Sequence, residues 1–525
     1  MNRNGQVKIK PGPVVVLLSM ALTVIVLKVT PYVRQWRSDA EKKDELERST
    51  AVGELTRQVR IAGDPWSGYF ILRSEKFHNM LLASKIRYTY DTVEDLQARF
   101  DGLKDGKYDV VVGTIDGYTV NGLKSEYPGV VSWIVDESFG GDALIGGPKV
   151  QSIDDLDALA DLAKVAYAEG YPSEHLLNAV MTQFKKKVKQ VPVKSSTDAY
   201  ELLKAGKVDA AVLWEPDTSN SLKEIKGAKV LMSTKQMVEF IVDVGIVSRK
   251  VMANDPALVD DVLGAYFSTL KYYQADASRM TEAIAQDAKV PMDTAQKIQQ
   301  GIRFVNLSDN AFHWFGVGGP DATERVSRIV RETIEIQRAQ SRLPTNPLKD
   351  PYTIINRSAL ERAMRGGASG ALAEKIKVQP SVAAPAPVEV ITYKPLSPDQ
   401  WDKAEKVGTL DVAPIYFSGG SSELAPEDQR FIDEVARKLT HYPHLRLRVV
   451  GHTSPGGDAK ASQALSEERA RAVTEYIARA HQVPVDRLQA VGKGGSEPLS
   501  TRQGESSRSY STRCQRVEFV LVSEN

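Results

Sequence analysis

From residue 59 onward, short β-branched runs alternate with stretches that carry apolar residues three or four apart. This is the pattern of an α/β sheet. Strands are predicted over residues 59–63, 85–90, 109–114, 130–135, 164–168, 188–193 and 209–214, and helices over 93–103, 153–162, 173–185, 197–204, 322–339 and 352–365. One junction repeats. Leu103, Lys104, Gly106, Lys107, Asp109 and Val112 return as Leu203, Lys204, Gly206, Lys207, Asp209 and Val212, each set a helix end, a glycine stop and a buried strand. The repeat predicts two α/β lobes of like construction with a cleft between them. A common helix–glycine–strand junction arising twice by chance is the alternative.

Three other stretches change the picture. Residues 11–27 run without a charge, after Arg3, Lys8 and Lys10 and before Lys28. As a helix they would span about 25 Å, enough for a bilayer core, and residues 1–36 are therefore expected to be a cytoplasmic stub and signal-anchor helix. A cleaved signal peptide and a buried core helix are the competing readings; no A-x-A-like site follows the apolar run. Residues 366–395 are rich in Ala, Gly and Pro, and read as a tether that leaves the modules on either side unfixed in orientation. Residues 401–525 give strand, helix, strand, helix and two strands, with Leu445, Leu447 and Val449 alternating against Arg446 and Arg448.

Composition then excludes more than it assigns. The 525 residues exceed one compact core, and 42% hydrophobic with 26% charged residues suits folded domains. Lys plus Arg number 68 against 67 Asp plus Glu, which gives no electrostatic footprint for nucleic acid. The single cysteine, Cys514, excludes an internal disulfide and a Cys-built zinc site. The chain contains no G-x-S-x-G, H-E-x-x-H or Walker loop, and Gly316–Pro320 reads as a turn. Asp154-Asp155 and Asp260-Asp261 fall on helical stretches and read as solvated faces. Neither an enzyme nor a cofactor or metal is implied.

Residues 57–345 resemble the nitrate/sulfonate/taurine type of periplasmic solute-binding protein. The resemblance rests on residues 62–69 (AGDPWSGY), 112–117 (VGTIDG), 170–177 (GYPSEHLL) and 209–216 (DAAVLWEP). It implies two hinged lobes. Ligands of such sheets lie beyond the strand ends, against helix N-termini. Ser67, Thr114 and Ser173 sit at such turns and suit an anion or simple helix capping alike. Trp66, Tyr69, Tyr118 and Trp214 are candidate cleft walls, while Glu215 and Asp116 disfavour a bare anion and favour a ligand bearing an amine or hydroxyl. His175 reads as a surface or core histidine rather than a metal ligand. A thiamine-precursor synthase family of related fold uses a cysteine-rich motif that this chain lacks.

The C-terminal residues resemble the OmpA-like peptidoglycan-binding domain. The matching positions include Ile415-Tyr416-Phe417, Gly451-His452-Thr453, Leu465-Ser466-Glu467-Glu468-Arg469-Ala470, Val491-Gly492-Lys493-Gly494 and Arg516-Val517-Glu518-Phe519. Arg469 shares a helix face with Val473 and Ile477, so it points inward and needs an anionic partner. The resemblance implies that this partner is a carboxylate of diaminopimelate in the peptidoglycan stem peptide, with Thr453, Ser454, Ser462 and Arg516 alongside. An internal salt bridge is the alternative. Ser454 and Ser462 stand where the family has aspartate and asparagine, and Cys514-Gln515-Arg516 keeps only the last arginine of its closing pattern. Weaker or altered wall binding is therefore expected.

Together these readings predict a noncatalytic protein of the inner membrane, single-pass, with its bulk in the periplasm. It would bind a small solute in the cleft and peptidoglycan through its C-terminal domain. The alternatives are a receptor delivering solute to an ABC permease, and a structural envelope tether whose first domain is a protein-interaction scaffold.

Overall fold

The structure is a computed structural model that describes residues 55–318, 322–343, 345–364, 391–415, 417 and 420–524. The expected membrane helix lies outside the described residues, as does most of the expected tether. No described helix is long and apolar enough to cross a membrane.

Strands β1 (Arg57–Gly63), β2 (Ile86–Thr92), β3 (Val110–Thr114) and β4 (Gly129–Ser138) open a first lobe. A second lobe holds β5 (Asp142–Gly146), β6 (Lys164–Ala168), β7 (Lys189–Val193), β8 (Ala210–Trp214) and β9 (Lys229–Ser233). The chain then returns to the first lobe with β10 (Val242–Ser248) and β11 (Ile302–Phe304). The sheets are ordered β11-β4-β10-β3-β1-β2 and β7-β6-β8-β5-β9. Two connections, at residues 139–141 and 234–241, therefore join the lobes.

The sequence repeat is a structural one. In each lobe the strand after the glycine pairs parallel with its neighbour, Ile61 opposite Val110 and Val165 opposite Ala210, and antiparallel with the strand on its other side. Asp109 accepts the Arg60 N–H at 2.9 Å as Asp209 accepts the Lys164 N–H at 2.9 Å. Gly106 and Gly206 hold φ of +73° and +64°, the left-handed geometry that stops each preceding helix without a Cβ penalty. Those helices, Leu96–Lys104 and Ser196–Lys204, are capped by the side chains of Asp95 and Ser195. Every residue of β3 is buried, as a strand covered on both faces must be.

The C-terminal domain orders its strands β12-β15-β13-β14: β12 (Glu405–Leu410), β13 (Arg446–Gly451), β14 (Leu488–Gly492) and β15 (Val517–Ser523). Helices Pro426–Leu439 and Ala459–His481 separate the first three strands, and a further helix, Ser507–Cys514, precedes the last.

Three sequence expectations are corrected. The helix expected at 153–162 is a single 3-10 turn, Ile153–Leu156, closed by a Ser152/Asp155 capping box. Asp260 and Asp261 are not solvated. Both are at most 2% exposed, and Arg362 and Arg57 pair with them, because a buried carboxylate needs a cation or hydrogen bonds. Nor are the two modules independent. Ile153 and Phe184 of the second lobe share one apolar cluster with Val407 and Leu410 of β12. Asp154 accepts the Thr409 hydroxyl at 2.8 Å and lies 2.7 Å from Lys406, so its carboxylate faces a domain boundary rather than water. Tyr442 bonds Gln183, and the Val238 N–H donates to the His441 carbonyl at 3.3 Å.

Candidate functional site

A cavity of about 360 Å³ opens between the lobes at the strand ends. Trp66, Ser67 and Thr114 line it from the first lobe; Trp214 and Glu215 line it from the second. These are five of the six residues expected to meet a solute. Ser173 is not among the lining residues: it is fully buried, and its hydroxyl donates to the Ala168 carbonyl at 3.0 Å. Of the expected aromatic walls, Tyr69 is present and Tyr118 is absent. Tyr118 is core, with its hydroxyl donating to the Gly129 carbonyl at 2.7 Å. Tyr171, which sequence reasoning did not single out, lines the cavity and stacks obliquely on Trp214 with ring centroids 5.7 Å apart.

Glu215, expected in the cleft, is joined there by charged residues that the sequence did not single out. Asp64, Glu94, Asp142, Glu215 and Asp243 line it, against Arg99 and Lys194. Arg99 is engaged through its two terminal nitrogens, which donate to the Val112 carbonyl at 2.7 Å and to Asp64 at 3.1 Å, while its buried Nε has no acceptor. Asp243 accepts the Tyr69 hydroxyl, and Asp142 accepts the Ser138 hydroxyl at 2.7 Å. Asp136 stands opposite Asp243 across β4 and β10, with Thr114 opposite Asp243 on the other side. Asp136 is fully buried, and neither of its oxygens receives a hydrogen bond. The Trp66 indole N–H crowds the same spot beside Gly68 without closing one. Burial pushes Asp142 up to about 7 and Asp136 up to about 8, each reinforced by neighbouring carboxylates, and Asp243 is raised well above the carboxylate range for the same reasons. The signal available in the sequence was an aspartate inside an apolar run, as in Val242-Asp243-Val244.

Two helix ends near the cleft meet charged or polar groups of the chain itself, while the turn Ser67–Tyr69 at the cavity wall has no side-chain cap. Thr114 caps helix Ile115–Lys124 by accepting the Gly117 N–H at 3.3 Å, and Asp116 lies in the first turn. Glu174, in the first turn of helix Pro172–Gln183, accepts the Gly170 N–H at 2.9 Å and pairs with Arg342 at 2.7 Å. At these two ends the partial positive charge already faces Thr114 and Asp116 or Glu174. Asp116 lines a separate recess of about 320 Å³ that includes His175 and Gln337, not the main cavity. His175 is a core residue, with Gln337 at 3.0 Å and Phe240 stacked at 4.6 Å. Among the described residues no three His, Cys, Asp or Glu side chains converge as metal ligands.

In the C-terminal domain the expected residues gather unevenly. The Thr453 N–H donates to the Gly494 carbonyl at 2.8 Å, and the Gly494 N–H donates to Ser466 Oγ at 2.9 Å. Ser462, Ser466 and Arg469 lie on one face of helix Ala459–His481, so the Thr453–Ser454 loop meets that face. Arg469 is 2% exposed, donates from Nε to the Ser421 carbonyl at 3.0 Å and lies over the Phe417 ring at 4.9 Å. Arg516 borders the same loop, since its carbonyl accepts the His452 N–H at 2.9 Å. Its guanidinium, however, donates to Glu518 at 2.7 Å. Burial opposes the ionisation of Glu518, but His452 and Arg516 hold its carboxyl down to about 2.

Residues 416–512 match the OmpA family model, and this part of the chain is an OmpA-family domain. The C-terminal part is 28% identical over 120 residues to the "Peptidoglycan-binding protein ArfA" of Mycobacterium tuberculosis, covering 23% of this chain and 36% of that one. It is 32% identical over 92 residues to "Outer membrane protein A" of Serratia odorifera, covering 17% and 37%. The chain spans little more than a third of the length of these relatives. The bilobed part is similar to the periplasmic aliphatic sulphonate binding protein SsuA of Escherichia coli, with 15% identity, a TM-score of 0.46 and coverage of 57% of this chain and 97% of that one.

Proposed function

We propose that this protein is a noncatalytic envelope component that binds a small solute between its lobes and peptidoglycan through its C-terminal domain. In this reading residues 11–27 anchor it in the inner membrane and the folded bulk lies in the periplasm. The observation that carries the reading is the joining, in one chain, of a cavity of about 360 Å³ lined from both lobes with an OmpA-family domain at residues 416–512. Two short connections between lobes supply a hinge, and ligand contacts from both sides favour closure. Handover of the solute to an ABC permease would extend the same reading, since a hinged receptor can present its closed form to a transporter.

Pull-down with purified diaminopimelate-type sacculi tests the wall half. The protein should co-sediment, and Arg469→Ala should weaken binding at least about tenfold, the size expected for a lost charge-assisted bond. Binding unchanged by Arg469→Ala would reject this pocket. Thermal-shift screening tests the solute half, because a ligand of the folded state raises the melting temperature. Membrane fractionation of periplasm-forming cells tests the anchor: the full chain should remain with the inner membrane.

A further inference from the structure

We propose that the interlobe cleft takes an organic cation bearing a primary amine, with its ammonium seated between Asp142 and Asp243 and its carbon body held among Trp66, Tyr171 and Trp214. This rests on the solute-binding reading and names its ligand class.

Three independent features converge on it. First, the two lobes each present a buried carboxylate to the cavity: Asp243 from β10 is 2% exposed and Asp142 from β5 is 5% exposed. Each has one hydroxyl donor, from Tyr69 and Ser138 respectively, which leaves lone pairs on carboxylates that can accept about four bonds. Second, Asp136, fully buried and behind the cavity wall rather than in its lining, stands in cross-strand register with Asp243, which concentrates carboxyl groups at that wall. A cation seated against these carboxyl groups favours their ionised forms, which burial alone disfavours. Third, indole and phenol rings from both lobes face the same space, and such rings attract alkylammonium groups through their quadrupoles. The cations already in the cavity do not fill the role. Arg99 is committed to Asp64 and the Val112 carbonyl, and Lys194 is exposed at the rim. An anion would meet the lining carboxyl groups of Asp64, Glu94, Asp142, Glu215 and Asp243. A metal ion is disfavoured by the lack, among the described residues, of three converging ligand side chains.

One carboxylate comes from each lobe, Asp142 directly after the connection 139–141 and Asp243 just after 234–241, so the ammonium would contact both lobes beside the hinge.

The test is calorimetric titration and thermal shift of the full chain with ethanolamine, putrescine and spermidine, and in parallel with methanesulfonate and nitrate. At least one amine should bind with a raised melting temperature, and neither anion should. Asp142→Asn and Asp243→Asn keep the size and an acceptor oxygen, and each should weaken amine binding tenfold or more. Both variants should melt no lower than the parent without ligand, which separates lost binding from lost folding. Binding of an anion alone, or amine binding indifferent to both substitutions, overturns the amine assignment and leaves the solute-binding reading standing. Failure of all three amines to bind rejects the amine assignment, while the broad thermal-shift screen decides the solute-binding reading on its own.

Discussion

Thr409 and Asp154 lie 255 residues apart and are joined twice: the Thr409 N–H donates to Oδ1 at 3.2 Å and its hydroxyl donates to Oδ2 at 2.8 Å. This pair sits at the rim of a dry contact. A Cβ on Gly408 would come within 3.0 Å of Ile153 and of the Phe184 ring, so the closeness of strand to lobe depends on the missing side chain. Gly408→Leu should therefore push the domains apart at a cost of about 1–3 kcal/mol. Scanning calorimetry should show two resolved transitions where the parent shows one, and a single unchanged transition would sink the prediction.

Asp154 tests the polar half of the same boundary. It is held by Lys186 at 3.0 Å and Lys406 at 2.7 Å, and although burial opposes them, those cations and Thr409 lower its pKa. A depressed carboxyl contributes stability above its unfolded pKa that is lost as pH falls through the folded one. Asp154→Ala leaves Lys186 without its nearer partner and should cost about 1–3 kcal/mol near neutral pH. The deficit should shrink as pH falls through the parent's lowered carboxyl pKa; denaturant melts in a series from neutral to strongly acid pH check this.

How much of this was legible beforehand follows from where the information lies. The junctions at Gly106 and Gly206 announced two similar lobes because a helix stop and a buried strand are local features, and the structure repeats them down to the Asp109 and Asp209 hydrogen bonds. The strands β5, β9 and β10 escaped notice. They carry aspartate, glycine or lysine at positions where only the opposing lobe or the cavity explains the residue. The burial of Asp260 was equally hidden, since its partner Arg362 is 102 residues away. The docking of the C-terminal domain was invisible for the same reason. Its apolar footprint at Ile153 and Leu156 has the spacing of an ordinary amphipathic helix.

Wall binding should respond to a gain as well as a loss. Ser454 lies on the loop that Gly494 ties to the Ser466–Arg469 face, at the position where the family resemblance implies an aspartate. Ser454→Asp should restore a carboxylate for the ligand's ammonium group, a bond worth about 1.5–3 kcal/mol, and so tighten sacculus binding roughly tenfold or more. Equal co-sedimentation of Ser454→Asp and parent would show that the loop does not meet the stem peptide.

The buried carboxylates make the ligand-free protein pH-sensitive in a direction opposite to that of Asp154. Asp136 and Asp142 are raised to about 8 and about 7, burial first, with Asp64, Asp116, Asp142 and Glu215 as the charges facing them. Between the unfolded carboxyl pKa near 4 and these folded values, the native protein holds protons that the unfolded chain has released. Stability is therefore full at about pH 4 and falls as pH rises to about 8. Asp136→Asn removes one such group while keeping the volume, so it should flatten the decline and melt several degrees higher than the parent at about pH 8. A variant that melts lower there would contradict the burial argument.

Ligand entry should expel those protons. At about pH 6 the ligand-free Asp142 and Asp136 are mostly protonated, with Ser138, Asp116 and Glu215 around the first and Asp243 and Asp64 beside the second. An ammonium placed between Asp142 and Asp243 favours their ionised forms, so binding at that pH must release up to about one proton per site. Titrating an amine that binds in two buffers of different ionisation enthalpy should give heats that differ in proportion to the protons released. Affinity should rise with pH from about 6 to 8, because Asp142, raised to about 7, ionises over that range before the ligand arrives. Asp142→Asn should reduce the buffer dependence while leaving the fold intact. Heats identical in both buffers for the parent would mean that the ammonium does not reach these carboxylates at all.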